Sequence, residues 1–267
     1  MLTRTSMLRR SLSATGLLAL TGLLPGLARA YSLAAFDART LPEVLASLGG
    51  SAPVESPLLR LSGQELAENG VSVPLGIRAS MDGVAALLLL AESNPTALLA
   101  LFRPLQGVEP DFSLQLKLVE SSEIYAVALM SDGKAYFARK PIQVVKGACG
   151  AWSAGPPTAP AGEYLPESIR IRAQQVGDRV VVRALVSHEM ESGQREDGNG
   201  GLVPAHFIEQ VRATLNGQIV FTAEWGPWVA KNPVLRFELR GARPGDTIGL
   251  SWRDNRGHAR SDQVHLN

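Results

Sequence analysis

From Leu58 onward the apolar residues return at every second position in short runs, and the runs are separated by glycine, proline, asparagine or aspartate. A two-residue period puts alternate side chains on opposite faces of a strand, so the chain must build sheets with a buried face rather than a helical bundle. In the first half, 58–61, 71–77, 112–118, 124–130 and 135–145 are predicted strands. Asp132-Gly133 supplies a hairpin turn between the last two. In the second half, 169–171, 179–186, 210–215, 219–224, 235–239, 248–252 and 263–266 are predicted strands, with a hairpin at Asn216-Gly217 and a turn over Asp254-Asn255-Arg256-Gly257. Strands of this length and spacing predict small β-sandwiches. Two segments depart from the period. Leu41, Val44, Leu45 and Leu48 lie at helical spacing behind Pro42, which predicts a short N-terminal helix ended by Gly49-Gly50. The run 84–91 (VAALLLLA) is apolar throughout; it is too short to cross a membrane, and is a buried strand or helix segment.

The alternation stops once, over 150–167, where alanine, glycine and four prolines (Pro156, Pro157, Pro160, Pro166) leave almost nothing to bury. That segment is a linker, and it divides the chain into residues 31–149 and 168–267. The N-terminus is of another kind. Arg4, Arg9 and Arg10 precede an apolar run of 17–27 and the small-residue site Ala28-Arg29-Ala30, so residues 1–30 are expected to be an export signal cleaved after Ala30. Arg9-Arg10 followed by Ser11-Leu12 fits the twin-arginine type, with Sec export the alternative. Removing four arginines and no acid leaves 22 Lys+Arg against 25 Asp+Glu, a net charge of −3, which argues against a nucleic-acid partner. No second segment reads as a membrane span.

The chemistry-bearing residues are few. The four histidines, His188, His206, His258 and His265, show no ligand spacing, and His188-Glu189-Met190-Glu191 lacks the second histidine of a zincin helix, so no metal is expected. There is no Gly-x-Ser-x-Gly elbow, phosphate loop or dinucleotide fingerprint, so no catalytic residue and no cofactor is expected either. Trp225, Trp228 and Trp252 read as core or interface. That leaves Cys149, the single cysteine, in Lys146-Gly147-Ala148-Cys149-Gly150-Ala151. A free cysteine is most often a small apolar core residue. Here Gly147, Ala148, Gly150 and Ala151 are too small to cover it, and Lys140 and Lys146 add positive charge upstream. An exposed thiol in a covalent carrier or redox role is the reading preferred from the residues.

Several strings carry a family resemblance. Glu65 to Pro74 (ELAENGVSVP), Ala91-Glu92-Ser93-Asn94-Pro95 and Ala126 to Tyr136 (AVALMSDGKAY) resemble SoxY. Val186 to Arg195 (VSHEMESGQR), Val203-Pro204-Ala205-His206-Phe207-Ile208, Asn216-Gly217, Asn232-Pro233 and Trp252-Arg253-Asp254-Asn255 resemble SoxZ. The chain therefore resembles a fused SoxY-SoxZ sulfur-compound carrier. The resemblance implies an all-β fold of two immunoglobulin-like sandwiches packed together, and a periplasmic carrier without turnover of its own. Cys149 is then the sulfur attachment point, on an arm of Lys146, Gly147, Ala148, Gly150 and Ala151. The implied partners are a haem oxidoreductase, a sulfate-releasing hydrolase and a sulfane oxidase. The arm departs from the family pattern, in which Gly-Gly-Cys-Gly-Gly ends the chain; here Ala148 and Ala151 replace glycines and Trp152 follows. Two alternatives stay open: a related SoxYZ-like carrier associated with a quinoprotein dehydrogenase system, and a β-sandwich binding or scaffold module whose cysteine is incidental.

Overall fold

The computed structural model describes residues 33–145 and 167–267. The short helix Leu41–Ser47 forms where the spacing predicts it: Pro42 sits in its first turn, and the Thr40 side chain caps it by accepting from the Glu43 N–H. Gly49 ends it at φ +73°, a left-handed conformation open to glycine without a Cβ penalty. The strands of the first half are β1 (Val54–Glu55), β2 (Leu59–Ser62), β3 (Leu66–Ala67), β4 (Val73–Ala79), β5 (Val84–Ala91), β6 (Leu98–Pro104), β7 (Val108–Leu116), β8 (Ser122–Met130) and β9 (Ala135–Val144). Those of the second are β10 (Ile169–Val176), β11 (Arg179–Val186), β12 (Ile208–Leu215), β13 (Gln218–Trp225), β14 (Val234–Arg240), β15 (Thr247–Asp254) and β16 (Ala259–His265).

Each half is a two-layer sandwich, and the two are joined edge to edge. One sheet runs β1–β9–β8–β5–β6–β13–β12–β15–β16 with β3 also paired to β9; the other runs β10–β11–β14–β7–β4–β2. The halves meet at two antiparallel seams. In one, Phe221 to Trp225 of β13 pair with Pro104 to Ala100 of β6; in the other, Arg236 and Phe237 of β14 pair with Ser113 and Phe112 of β7. A row of rings crosses between the layers: Phe102 stacks on Phe112 at 4.6 Å, Phe112 meets Phe221 edge-on at 5.1 Å, and Phe221 meets Phe237 at 4.9 Å. One continuous core therefore serves both halves. Gly226 follows β13 at the seam, where an added Cβ would stand 3.2 Å from the Leu98 carbonyl oxygen and 3.1 Å from the Phe36 ring.

The continuous apolar run 84–91 is a strand, and its composition has a clear cause. Leu87, Leu89 and Ala91 face the sandwich core, while Ala86, Leu88 and Leu90 pack beneath Leu41, Val44 and Leu45 of the helix. β6 is covered in the same way, by the core on one face and the helix layer on the other. The predicted strands at 169–171 and 263–266 extend to Ile169–Val176 and Ala259–His265. Asn216 and Gly217 both have positive φ, +51° and +79°, as a two-residue hairpin of the primed type requires. Trp225, Trp228 and Trp252 are buried in the core. The outer ends of the longer sheet differ from its middle. β1 has two residues and runs parallel to β9, and at the other end β16 (ARSDQVH) is exposed along most of its length.

Candidate functional site

The arm residues Lys146, Gly147, Ala148, Cys149, Gly150 and Ala151 lie outside the described residues, but the strand leading to them does not. β9 is flanked at its far end by β3, and Val145 continues that pairing by donating its N–H to the Ala67 carbonyl at 3.0 Å. Val144 N–H donates to the Ser121 hydroxyl at 2.9 Å. The base of the arm is thus held on both sides, with Val145 and Leu66 exposed beside it. Lys140, upstream on β9, is held by partners in the first half. Its ammonium donates to the Gly63 carbonyl at 2.8 Å and lies 3.6 Å from Glu65, five strand residues, or roughly 17 Å, back from Val145.

A compact polar constellation lies in the second half, among histidines that show no ligand spacing in the sequence. After β11 the chain turns through 187–192. His188 exchanges hydrogen bonds with Asn232: its N–H donates to Oδ1 and its carbonyl accepts from the Asn232 N–H, both at 3.0 Å. Met190, at φ +49°, donates its N–H to His188 Nδ1 at 3.0 Å. With Nδ1 accepting, the proton of the neutral ring sits on Nε2. That atom is buried without a hydrogen-bond partner, 3.6 Å from Asp254 Oδ2. Glu191 and His206 form a backbone bridge, which brings the His206 ring to 4.6 Å from His188.

Asp254 ends β15 and organises the following turn. Its Oδ1 accepts the backbone N–H groups of Arg256 at 2.9 Å and His258 at 2.8 Å. Its Oδ2 lies 2.7 Å from His206 Nε2 and 2.9 Å from His258 Nδ1. Glu167 completes the group: Oε2 accepts from Arg260 Nη2 at 2.9 Å, and Oε1 stands 4.0 Å from His258 Nδ1. One ligand atom from each of Glu167, His206, Asp254 and His258 lies within 4.8 Å of all the others. Burial by itself would raise the Asp254 pKa, but the hydrogen bonds from His206, His258 and the two backbone N–H groups outweigh it and hold the carboxyl well below its usual range. Burial, with the neighbouring His206, pushes the His188 imidazole down to about 4, so it is neutral at pH 7. His265 stays apart, bonded to Thr247. No ligand spacing marks this group in the sequence, because its members come from three separate places along the chain. The only local signal is the Asp254/His258 pair across one turn.

Beneath the 187–192 loop lies Lys117, from the first half. It is buried, and its ammonium donates to the carbonyls of Met190 and Pro227. Burial lowers its pKa to about 8 against the pull of Glu191 and Glu189.

These features define a class: an all-β protein of two immunoglobulin-like sandwiches sharing their sheets, with a polar cluster at one end of the second. No helix among the described residues is long and apolar enough to cross a membrane. The family described as sulfur oxidation protein SoxY matches residues 45–149, and that described as sulphur oxidation protein SoxZ matches 169–265. The two matches together take in most of the chain, which belongs to both families as a fused SoxY-SoxZ protein. Among solved structures, the sulfur carrier protein SoxY from Chlorobium limicola f thiosulfatophilum is 28% identical, with a TM-score of 0.36 over 39% of this chain and 94% of that one. A superoxide reductase (neelaredoxin) from Ignicoccus hospitalis is 20% identical, with a TM-score of 0.29 over 37% of this chain and 86% of that one. No curated protein matches the chain.

Proposed function

We propose that the mature chain is a periplasmic carrier that holds sulfur intermediates covalently on Cys149 and presents them in turn to enzymes of sulfur oxidation. One observation carries this reading: the SoxY match ends on Cys149 itself, and the SoxZ match follows in the same chain. The export signal expected over residues 1–30 supports the compartment, and the exposed Val145 and Leu66 at the base of the arm support presentation outward. In the loading step the Cys149 thiolate bonds to the terminal sulfur of thiosulfate. The thiol proton passes to solvent and two electrons pass to a haem oxidoreductase, leaving a cysteine S-thiosulfonate. A hydrolase then releases sulfate, and a sulfane oxidase acts on the sulfur that remains. The carrier supplies the nucleophile and its delivery, while the partners supply the redox chemistry.

Ala148, Ala151 and Trp152, and the internal position of the arm, favour a second reading: a SoxYZ-like carrier serving a quinoprotein dehydrogenase system with another cargo. Intact-protein mass spectrometry on the mature chain separates the two. Incubation with thiosulfate and a haem oxidoreductase should add a thiosulfonate mass that is absent from Cys149→Ser. An adduct formed with a persulfide donor and never with thiosulfate counts against thiosulfate as the cargo and supports the second reading. A thiol left unmodified under both conditions refutes covalent carriage.

A further inference from the structure

The polar cluster of the second half has the layout of a coordination site. Two carboxylates in it share one arrangement: each has one oxygen fixed by an N–H donor and the other turned inward. Backbone N–H groups of Arg256 and His258 hold Asp254 Oδ1, leaving Oδ2 at the centre. Arg260 holds Glu167 Oε2, leaving Oε1 on the His258 side. Outer partners that fix a ligand's orientation in this way are a general feature of metal sites. The imidazoles of His206 and His258 converge on the same oxygen, at 2.7 Å and 2.9 Å. The buried His188 Nε2–H, unpartnered and aimed at Asp254 Oδ2, is a second, independent observation: a donor held ready for an oxygen that other atoms already crowd.

We propose that Glu167, His206, Asp254 and His258 bind one divalent first-row transition-metal ion through two imidazole nitrogens and two carboxylate oxygens. Ligands of this type suit zinc and its neighbours better than calcium or magnesium, which prefer oxygen alone. A tetrahedral ion with bonds of about 2.0 Å separates its ligands by about 3.3 Å, so the contacts of Asp254 Oδ2 with His206 Nε2 and His258 Nδ1, at 2.7 Å and 2.9 Å, must open, while Glu167 Oε1, 4.0 Å from His258 Nδ1, must close in. His258 lies on an exposed turn, the His206 side chain reaches the surface, and Glu167 stands ahead of β10, so each can make its shift of several tenths of an ångström. In the occupied site His188 becomes a positioning residue, its Nε2–H closing the 3.6 Å gap to Asp254 Oδ2. The ion ties Glu167, and with it the start of β10, to the turn between β15 and β16.

The test uses the untagged mature chain carrying Cys149→Ser, so that the thiol cannot supply a ligand, after chelator treatment. Titration with zinc by calorimetry should give one ion per chain. Cobalt should give visible absorption bands that zinc displaces, and zinc should raise the melting temperature. Glu167→Gln and His258→Gln, both outside the core, should each weaken zinc binding by about tenfold or more. His265→Gln, bonded to Thr247 away from the cluster, should leave it unchanged. Fewer than one ion bound, or Glu167→Gln and His258→Gln variants that bind zinc like the parent, would overturn the proposal. Loss of thiosulfate loading on Cys149 bears on the carrier reading alone and leaves this result standing.

Discussion

Lys117 illustrates how a single residue ties stability to pH. Its folded pKa of about 8 lies below the ordinary 10.5, so between those values the unfolded chain binds more protons than the folded one. Stability should therefore rise as pH climbs from about 8 to about 10.5, by up to about 3 kcal/mol from this group, while below pH 8 the cost of burying the charge is fully present. Lys117→Met should flatten that rise, read from denaturant midpoints at pH 7.5 and 9.5; an unchanged slope would assign the effect elsewhere. Sequence gave no hint of this residue, because the QLKL run reads as an ordinary strand with its lysine outward. Its environment comes from Met190 and Pro227, more than seventy positions away, and no local pattern carries such a contact. The histidine cluster was hidden for the same reason: His206 and Asp254 are neighbours only because β12 and β15 pair. Cys149, by contrast, stands out in the sequence by being alone.

At the scale of elements, the row Phe102, Phe112, Phe221 and Phe237 makes β13 and β7 parts of one core. Phe221→Ala should cost about 3–5 kcal/mol. Hydrogen exchange should accelerate in β4 and β7 of the first half as well as in β12 and β13; acceleration confined to the second half would mean the cores are independent. Most strands were legible, since an alternating run such as Phe112 to Leu116 of β7 can satisfy only one buried face and one half-exposed one. β6 was not read as a strand. Leu98-Leu99-Ala100-Leu101-Phe102 is covered on both faces, by the core and by the helix layer, so like β5 it lacks the alternation that marks β7. It is also the strand that forms the seam with β13, which is why the sequence read two sandwiches and missed their shared sheets.

At the scale of the molecule, the seams predict that the linker is not what keeps the halves together. Two antiparallel strand pairs, the ring row, and the bonds from Val234 N–H to Gln115 Oε1 and from Trp228 Nε1 to Thr96 Oγ1 all cross between them. A protease site inserted between residues 150 and 166, once cut, should leave two fragments that co-elute on size exclusion at micromolar concentration. Separate elution would show that the covalent link, through its high effective concentration, is needed for pairing. Joining two sandwiches by their edges has a further consequence, set by how the long sheet stops. Every seam that accepts a strand could in principle accept one from another chain, and a sheet of ten strands with long, flat ends would be a template for fibres. Here one end is capped by β1, two residues long and running parallel, and the other is β16, where Arg260 and Asp262 line an exposed edge. The chain thus uses strand pairing to assemble itself from two parts and ends the sheet at the point where the same rule would begin to recruit strangers.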